Sequence, residues 1–226
     1  GIGEKITRYV EDGGVGAVKK RVGSADGNTL ISAQRVEAAR KYLGDDIDIM
    51  VDAHGTFACA EAKRFCRLVR EYNLAWFEEP VTADDILGCA EIRASTDIPI
   101  AAGESIFTRF DFRDLALARA VDIFQPDLAI CGGITEAMRI AALAASHQIR
   151  LAPHMWGGAV MFAAGLQMCA TSPAAFTVEY SLGHNPLMHD LVAENFPIAK
   201  GRITIPDRPG LGVTIDDDFV RAYAVD

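Results

Sequence analysis

The sequence predicts an α/β fold of the (β/α)8 barrel type, and two observations lead to this fold class. Short apolar runs of strand length recur at nearly constant intervals along the 226 residues, and helix-length amphipathic or alanine-rich stretches separate them. Strands that alternate with helices at this period are typical of a parallel sheet with helical crossovers. Because seven such strands follow one another without a large gap, a closed barrel is favoured over an open sheet.

Seven predicted strands alternate with helices along the chain. The strands cover 16–22, 47–53, 74–78, 98–104, 121–127, 149–154 and 176–180. The helices expected between them include 32–44, 58–72 and 134–147. Ser32 and Thr135 are candidate helix starts, and Gly44 is a candidate helix end.

The two ends of the chain depart from a complete barrel. A helix-like stretch opens the chain over 3–14, so we expect the first barrel strand to lie before residue 1 and to be missing from this chain. The segment 200–226 combines Pro/Gly turns with two short strand-like runs, and we expect it to fold back rather than to complete the barrel. The predicted division is a barrel domain over 1–199, partial at its start, and a returning tail over 200–226.

Composition excludes several classes of partner. The net charge is −9 and no basic run exceeds three residues, which argues against nucleic acid and anionic membranes as partners. The longest apolar stretch, 159–170, is too short to span a bilayer. The five cysteines are odd in number and show no CxxC spacing, so we expect free thiols in a reducing compartment. With no signal-like start, a cytoplasmic location is expected.

Polar side chains lie at the carboxyl ends of the predicted strands. They are Lys19, Arg21, Asp52, His54, Glu78, Glu79, Glu104, Asp127, His154 and Glu179. In a parallel barrel these ends converge on the face where active sites form. A single carboxylate would mean little, because surface carboxylates are usually only solvated. Acidic or imidazole groups at six successive strand ends, spaced by about one strand–helix unit, predict a functional site.

Two constellations within this set suggest chemistry. Three carboxylates on consecutive strands would repel one another unless a cation neutralised them, and oxygen donors alone favour a hard cation such as Mg²⁺. They are those of Asp52, Glu104 and either Glu78 or Glu79, since neighbours on a strand point to opposite faces. A carboxylate beside an imidazole, as in Asp127 and His154, makes a general base, although a structural ion pair is the alternative.

The strand-end motifs carry a family resemblance. "VDAHG", "WFEEP", "AAGES", "QPDLAICGGITEA", "APHMWGG" and "TVEYS" resemble those of the enolase superfamily, in its mandelate racemase and muconate lactonizing enzyme family, from about residue 5 to 226. The resemblance implies a TIM-like barrel of modified (β/α)7β form and an amino-terminal capping domain that this chain would lack. It also implies a site with Mg²⁺ bound by Asp52, Glu78 and Glu104, an Asp127–His154 base, and Glu179 in contact with the substrate carboxylate.

The chemistry shared by this superfamily is removal of a proton alpha to a carboxylate, and two residues indicate how the reaction continues from there. Racemase-type relatives carry Lys-x-Lys on the second strand, whereas here Lys19 is followed by Arg21 at the second position. Arginine keeps its proton, so Arg21 suits binding of a carboxylate or hydroxyl better than proton abstraction, while Lys19 remains a candidate base or carboxylate ligand. His54 resembles the general acid of sugar-acid dehydratases; the alternative is an imidazole that orients a metal ligand.

The function expected from this sequence is therefore that of an acid-sugar dehydratase, a carbon–oxygen lyase that acts on a small-molecule carboxylate and gives a 2-keto-3-deoxy acid. Two alternatives stay open: a racemase, epimerase or cycloisomerase of the same superfamily, and an inactive barrel kept as a binding or assembly module. Trp156 is expected to wall the substrate pocket or to serve packing. Relatives commonly assemble, so a homo-oligomer is expected.

Overall fold

A six-stranded parallel sheet forms the centre of the structure, a computed structural model that describes residues 10–11, 13–181 and 183–224. Its strands are β1 (Ala17–Arg21), β2 (Asp48–Asp52), β3 (Leu74–Glu78), β4 (Ile100–Ala102), β5 (Ile123–Phe124) and β6 (Arg150–Leu151). They pair in chain order, each with the next. The register sets Arg21 opposite Asp52 and Asp52 opposite Glu78, so the carboxyl ends of the first three strands lie side by side.

Helices connect the strands and cover one side of the sheet. They are α1 (Thr29–Leu43), α2 (Cys59–Val69), α3 (Ile86–Arg93), α4 (Thr108–Leu117), α5 (Gly133–Ser146), α6 (Ala159–Thr171), α7 (Pro186–His189) and α8 (Asp217–Tyr223). Short 3-10 helices lie over Gly23–Asp26 and Arg70–Tyr72. The strand–helix alternation predicted from the sequence is therefore present.

The ends of two helices test the local predictions. Gly44 ends α1, as predicted, and has a positive φ of +72° there. Ser32 as the start of that helix is wrong, because the Asn28 side chain caps the helix by accepting a hydrogen bond from the Ile31 amide. The Ser32 hydroxyl lies buried one turn further on and accepts a hydrogen bond from the Gly23 amide. Thr135 as the start of α5 is wrong as well, since this helix begins two residues earlier, at Gly133.

Side-chain alternation along the strands separates two apolar layers. Outward-facing residues such as Ile49 and Val51 pack with the helices, whereas Met50 joins the inner cluster of Met50, Trp76, Ala101, Ile123 and Ala152. Because residues two apart share a face, Asp52 lies on the same side of β2 as Met50. Glu78 follows Trp76 in the same way on β3. The inner apolar layer thus forms the floor beneath the charged strand ends.

The seventh predicted strand, 176–180, is not a regular strand. One parallel bridge joins Leu151 to Ala175, with hydrogen bonds from the Leu151 amide to the Ala174 carbonyl and from the Phe176 amide to the Leu151 carbonyl. Pro153 lies two residues beyond Leu151 and has no N–H to donate, which stops a ladder along this edge. The prediction of a regular strand here is wrong, although Glu179 still reaches the site.

Beyond the sheet, the tail forms a hairpin of its own. Strands β7 (Ile198–Ala199) and β8 (Arg202–Ile203) pair antiparallel across the predicted boundary between 199 and 200. The Ala193 amide donates to the Thr214 carbonyl and the Asp216 amide to the Leu191 carbonyl, so the last segment folds back on 191–193. Most of the helix predicted over 3–14 lies outside the described residues.

Two further expectations concern the thiols and the membrane. All five cysteines are free, as predicted, and three of them are buried: Cys66, Cys89 and Cys131. Burial raises the pKa of the Cys66 thiol to about 11. Among the helices that the structure describes, none combines the length and the apolar character that a bilayer crossing requires.

A buried lysine ammonium on β1 makes stability depend on pH. Lys20 Nζ is buried without a hydrogen-bond partner among the described residues. Burial, and then the charge of Arg35, lower its pKa from 10.5 to about 8. Between pH 8 and 10.5 the unfolded chain therefore binds more protons than the folded one at this site, so stability rises with pH across that window. Below pH 8 the cost of the buried charge is fully present.

Lys20→Met is expected to raise the free energy of unfolding at pH 7 by about 1–3 kcal/mol, discounted for partial solvent screening. The gain should shrink as the pH rises towards 10.5, because the wild-type amine is then neutral in the folded protein and no charge remains to be buried. Urea denaturation at pH 7 and near pH 10.5 measures this gain in the free energy of unfolding. Lys41→Met is the control, since Lys41 is exposed and should change stability little. An equal gain at both pH values would contradict the assignment.

Candidate active site

The carboxyl ends of the strands open onto one cleft of about 160 Å³. It is lined by Lys19, Lys20, Arg21, Asp52, Glu104, His154, Trp156 and Glu179. Two more of the predicted site residues lie directly behind this lining: Glu78 contacts Lys19, and Asp127 contacts His154. His54 lies at the edge, with half of its side chain exposed, and contacts Glu104. The structure thus brings together all the residues that the sequence proposed.

Lys19 lies at the centre of a buried network of charges. Its Nζ is 2.6 Å from Glu78 Oε1 and 2.7 Å from Glu179 Oε1. Trp76 Nε1 donates to the other oxygen of Glu78, and the Met155 amide donates to the other oxygen of Glu179. Burial would lower the pKa of Lys19, but the two carboxylates outweigh it and raise the pKa. Lys19 is therefore held as a cation on the floor of the cleft.

Asp52 occupies the end of β2 and both of its oxygens are engaged. Oδ2 lies 3.2 Å from Arg21 Nε, and Oδ1 accepts a hydrogen bond of 2.8 Å from the His54 amide. The chain turns sharply here, with His54 at φ +49° and Gly55 at φ +68°. Burial and the charge of Glu78 raise the pKa of Asp52 despite the nearby cations.

Glu79 faces the site as well, which the alternation of a regular strand does not predict. Its φ of +39° turns the backbone just beyond β3, so that Glu78 and Glu79 lie on the same side. Glu79 Oε2 is 3.5 Å from His54 Nδ1, and its Oε1 is buried without a hydrogen-bond partner among the described residues. Burial, Asp52 and Glu78 raise the pKa of Glu79 to about 7. Residue order leaves either Glu78 or Glu79 as the carboxylate that faces the site, with Glu79 otherwise pointing outward or pairing with a basic group; in the structure both face the site.

Glu104 lies between the two histidines of the site. Its Oε1 is 2.9 Å from His54 Nδ1 and its Oε2 is 3.6 Å from His154 Nε2. Burial and the charge of Glu79 raise the pKa of Glu104 to about 7, with His154 opposing the shift. Gly103 is what allows this position: at φ +146° a Cβ would come within 2.8 Å of the Gln125 backbone nitrogen.

Asp127 and His154 form a buried hydrogen-bonded pair. Asp127 Oδ2 is 2.7 Å from His154 Nδ1, and the Ala129 amide holds the other oxygen of Asp127 at 2.7 Å. Burial would lower the pKa of His154, but the Asp127 hydrogen bond and the charges of Glu179 and Glu104 raise it. Since Asp127 engages Nδ1, Nε2 is the nitrogen turned towards the cleft and Glu104.

The donors around the cleft suit a hard divalent cation. Four carboxylates, those of Asp52, Glu78, Glu79 and Glu104, lie around the cleft. Among the residues that the structure describes, lysine and arginine side chains pair with two of them: Lys19 with Glu78 and Arg21 with Asp52. The raised pKa values and the orphaned oxygen of Glu79 mark negative charge that these cations do not balance. Carboxylate oxygens are the donors that Mg²⁺ takes in proteins.

A parallel α/β sheet with charged side chains at successive strand ends defines a barrel-type enzyme domain. Comparison with known proteins gives the family: the model described as "Enolase C-terminal domain-like" matches residues 1–219. The chain therefore belongs to the enolase superfamily, and the predicted family and fold class are confirmed.

Similar proteins include enzymes of sugar-acid metabolism. The chain is 37% identical over 196 residues to a D-galactarolactone cycloisomerase of Agrobacterium fabrum, covering 83% of this chain and 52% of the relative. It is 36% identical over 210 residues to an L-talarate/galactarate dehydratase of Salmonella typhimurium, covering 93% and 50%. A solved L-talarate dehydratase from Polaromonas sp. JS666, complexed with Mg and L-glucarate, superimposes with a TM-score of 0.88 at 33% identity over 100% of this chain and 59% of that one. The chain spans about half the length of the curated relatives it matches.

Proposed function

We propose that this chain carries the active site of a Mg²⁺-dependent sugar-acid dehydratase. The reaction removes the proton alpha to a carboxylate, then eliminates the β-hydroxyl as water and gives a 2-keto-3-deoxy acid. The observation that carries the proposal is the Glu104 carboxylate between two imidazoles, with His154 on one side and His54 on the other. Relatives named as dehydratases of galactonate, xylonate and talarate or galactarate support it.

The carboxylate of the substrate would bind among the charges on the cleft floor. Asp52, Glu78 and Glu104 would hold the Mg²⁺, which when bound neutralises charge that develops on the substrate carboxylate during deprotonation. Lys19 lies in the same cleft and Arg21 beside it, so that both can donate hydrogen bonds to that carboxylate. Trp156, whose side chain is exposed at the rim, would form a wall of the pocket.

His154 would act as the base. Asp127 fixes the imidazole through Nδ1, so a lone pair on Nε2 can take the alpha proton from a substrate seated in the cleft. The electron pair of the broken C–H bond passes into the carbon–carbon bond towards the carboxylate and leaves an enediolate. The positive charge that forms on the imidazole is stabilised by the buried Asp127 carboxylate.

His54 would act as the acid on the other side of Glu104. Its half-exposed ring lies at the edge of the cleft, where it can give a proton to the departing β-hydroxyl. The enediolate electrons then form the new double bond as the C–O bond breaks and water leaves. The resulting enol takes a proton at the β carbon and loses the proton of its hydroxyl, which yields the 2-keto-3-deoxy acid.

Two-base racemisation is less well supported by the contacts of β1. Arg21 lies where a racemase would place its second base, and a guanidinium keeps its proton at working pH. Lys19 is bound between two carboxylates, Glu78 and Glu179, which oppose its deprotonation. Proton removal from one face by His154 is the reaction that this arrangement favours.

Incubation of the protein with Mg²⁺ and a library of aldonates, aldarates and their lactones tests the proposal. At least one sugar acid should give a semicarbazide-reactive keto acid, and EDTA should suppress the product. Solvent exchange of the alpha hydrogen with formation of an epimer, or isomerisation of a lactone, without keto acid would instead establish an isomerase. Neither exchange nor product from any member would favour an inactive binding module.

Glu104→Gln is expected to weaken Mg²⁺ binding by about 10–100-fold or more, because it removes a charged donor from the carboxylate cluster. Isothermal titration calorimetry with MgCl₂ measures this without any substrate. Glu91→Gln is the matched control, since Glu91 pairs with Lys63 on the helical surface, away from the cleft. Unchanged Mg²⁺ binding in Glu104→Gln would remove Glu104 from the metal site and favour a scaffold without catalysis.

A further inference from the structure

His54, Glu79 and Glu104 form a second group of donor atoms beside the proposed Mg²⁺ ligands. One donor atom of each residue lies within 4.8 Å of the others. The group shares Glu104 with the Mg²⁺ set, but it replaces the other two carboxylates by Glu79 and an imidazole nitrogen. Its three side chains come from the ends of β2, β3 and β4.

The two sets differ in how far other groups already satisfy their oxygens. Both oxygens of Asp52 and both of Glu78 have partners: Arg21 and the His54 amide for the first, Lys19 and Trp76 for the second. Glu79 is only 5% exposed, and its Oε1 accepts no hydrogen bond from the residues that the structure describes. A buried carboxylate oxygen without a donor is costly, so this atom points to a missing ligand.

We propose that His54, Glu79 and Glu104 form a binding site for a transition-metal dication. This site differs from the Mg²⁺ site, and the two cannot be occupied at the same time. An imidazole nitrogen favours ions such as Co²⁺ and Zn²⁺, whereas Mg²⁺ prefers oxygen donors. Because Glu104 belongs to both sets, one ion excludes the other. This exclusion rests on the proposed function, and so does one consequence. A His54 side chain that ligates a metal cannot protonate a leaving hydroxyl, so these ions should inhibit the dehydration.

Two neighbouring isosteric substitutions separate the sites. Co²⁺ is titrated into the protein and followed by its visible absorption, and Mg²⁺ is followed by calorimetry. Glu79→Gln should weaken Co²⁺ binding about tenfold or more and leave Mg²⁺ binding nearly unchanged, whereas Glu78→Gln should do the reverse. His54→Asn should also weaken Co²⁺ binding, because it removes the imidazole donor.

The outcomes decide the proposal without reference to catalysis. Co²⁺ affinity unchanged in both Glu79→Gln and His54→Asn would overturn it, as would equal loss of both metals in Glu78→Gln and Glu79→Gln. Far-ultraviolet circular dichroism checks the fold of each variant, and the half-exposed His54 supplies the variant least expected to disturb it. Failure of Mg²⁺ to bind the wild-type protein would count against the proposed function alone, because the Co²⁺ titration still tests this site.

Discussion

His154→Asn is expected to abolish exchange of the substrate's alpha hydrogen with solvent, and keto-acid formation with it. His154 Nε2 is the imidazole nitrogen turned into the cleft, and the Asp127 contact of 2.7 Å on Nδ1 orients it there. An asparagine amide can still donate to Asp127 but offers no basic nitrogen. Loss of a general base costs about 10²–10⁴-fold in rate. Proton NMR of the sugar acid in D₂O, with Mg²⁺ present, measures the exchange.

His147→Asn serves as the control for that experiment, because His147 ends α5 and lies outside the cleft lining. It should leave both exchange and elimination near wild-type rates. Calorimetry with MgCl₂ should give nearly the same affinity for His154→Asn as for wild type, which separates loss of the base from loss of the metal. Exchange that persists at the wild-type rate in His154→Asn would assign the base elsewhere, with Lys19 the remaining candidate.

Period-two alternation on the strands made much of the site predictable. Asp52 and Glu78 end apolar runs that must lie in a parallel sheet, so residue order alone puts them at one edge and on one face. The same alternation puts Asp127, just beyond β5, and His154, just beyond β6, on the same side of neighbouring strands, and the two are in contact. Side chains fixed by strand register are therefore the part of this site that the sequence determines.

Where the backbone leaves the strand, the sequence was less informative. Glu79 follows Glu78 directly, so alternation sends it away from the cleft, yet φ +39° returns it to the side of His54 and Glu104. A positive φ at a glutamate cannot be predicted from the residue type, because glycine and asparagine are the residues that usually adopt it. The prediction of the seventh strand failed for a related reason. Pro153 disrupts pairing with the segment that it faces, 176–180, and residue order does not show which segment that is.

His54→Asn is expected to spare alpha-hydrogen exchange while slowing elimination by about 10²–10⁴-fold, the usual contribution of a general acid. Asparagine is a close structural replacement here. It tolerates the φ of +49°, and its backbone N–H can keep the 2.8 Å hydrogen bond to Asp52 Oδ1. What it removes is the ring nitrogen 2.9 Å from Glu104, and with it the proton for the departing hydroxyl.

The ratio of exchange to elimination is what distinguishes an acid from an imidazole that only orients a metal ligand. If His54 is the acid, the enediolate of the His54→Asn variant takes a solvent-exchanged proton back from His154. Deuterium then accumulates in the unreacted sugar acid while the rate of keto-acid formation falls. A lost orienting contact would weaken Mg²⁺ binding and reduce both rates together. Elimination at the wild-type rate in His54→Asn would refute the acid role, and the β-hydroxyl would then have to take its proton from another group at the cleft.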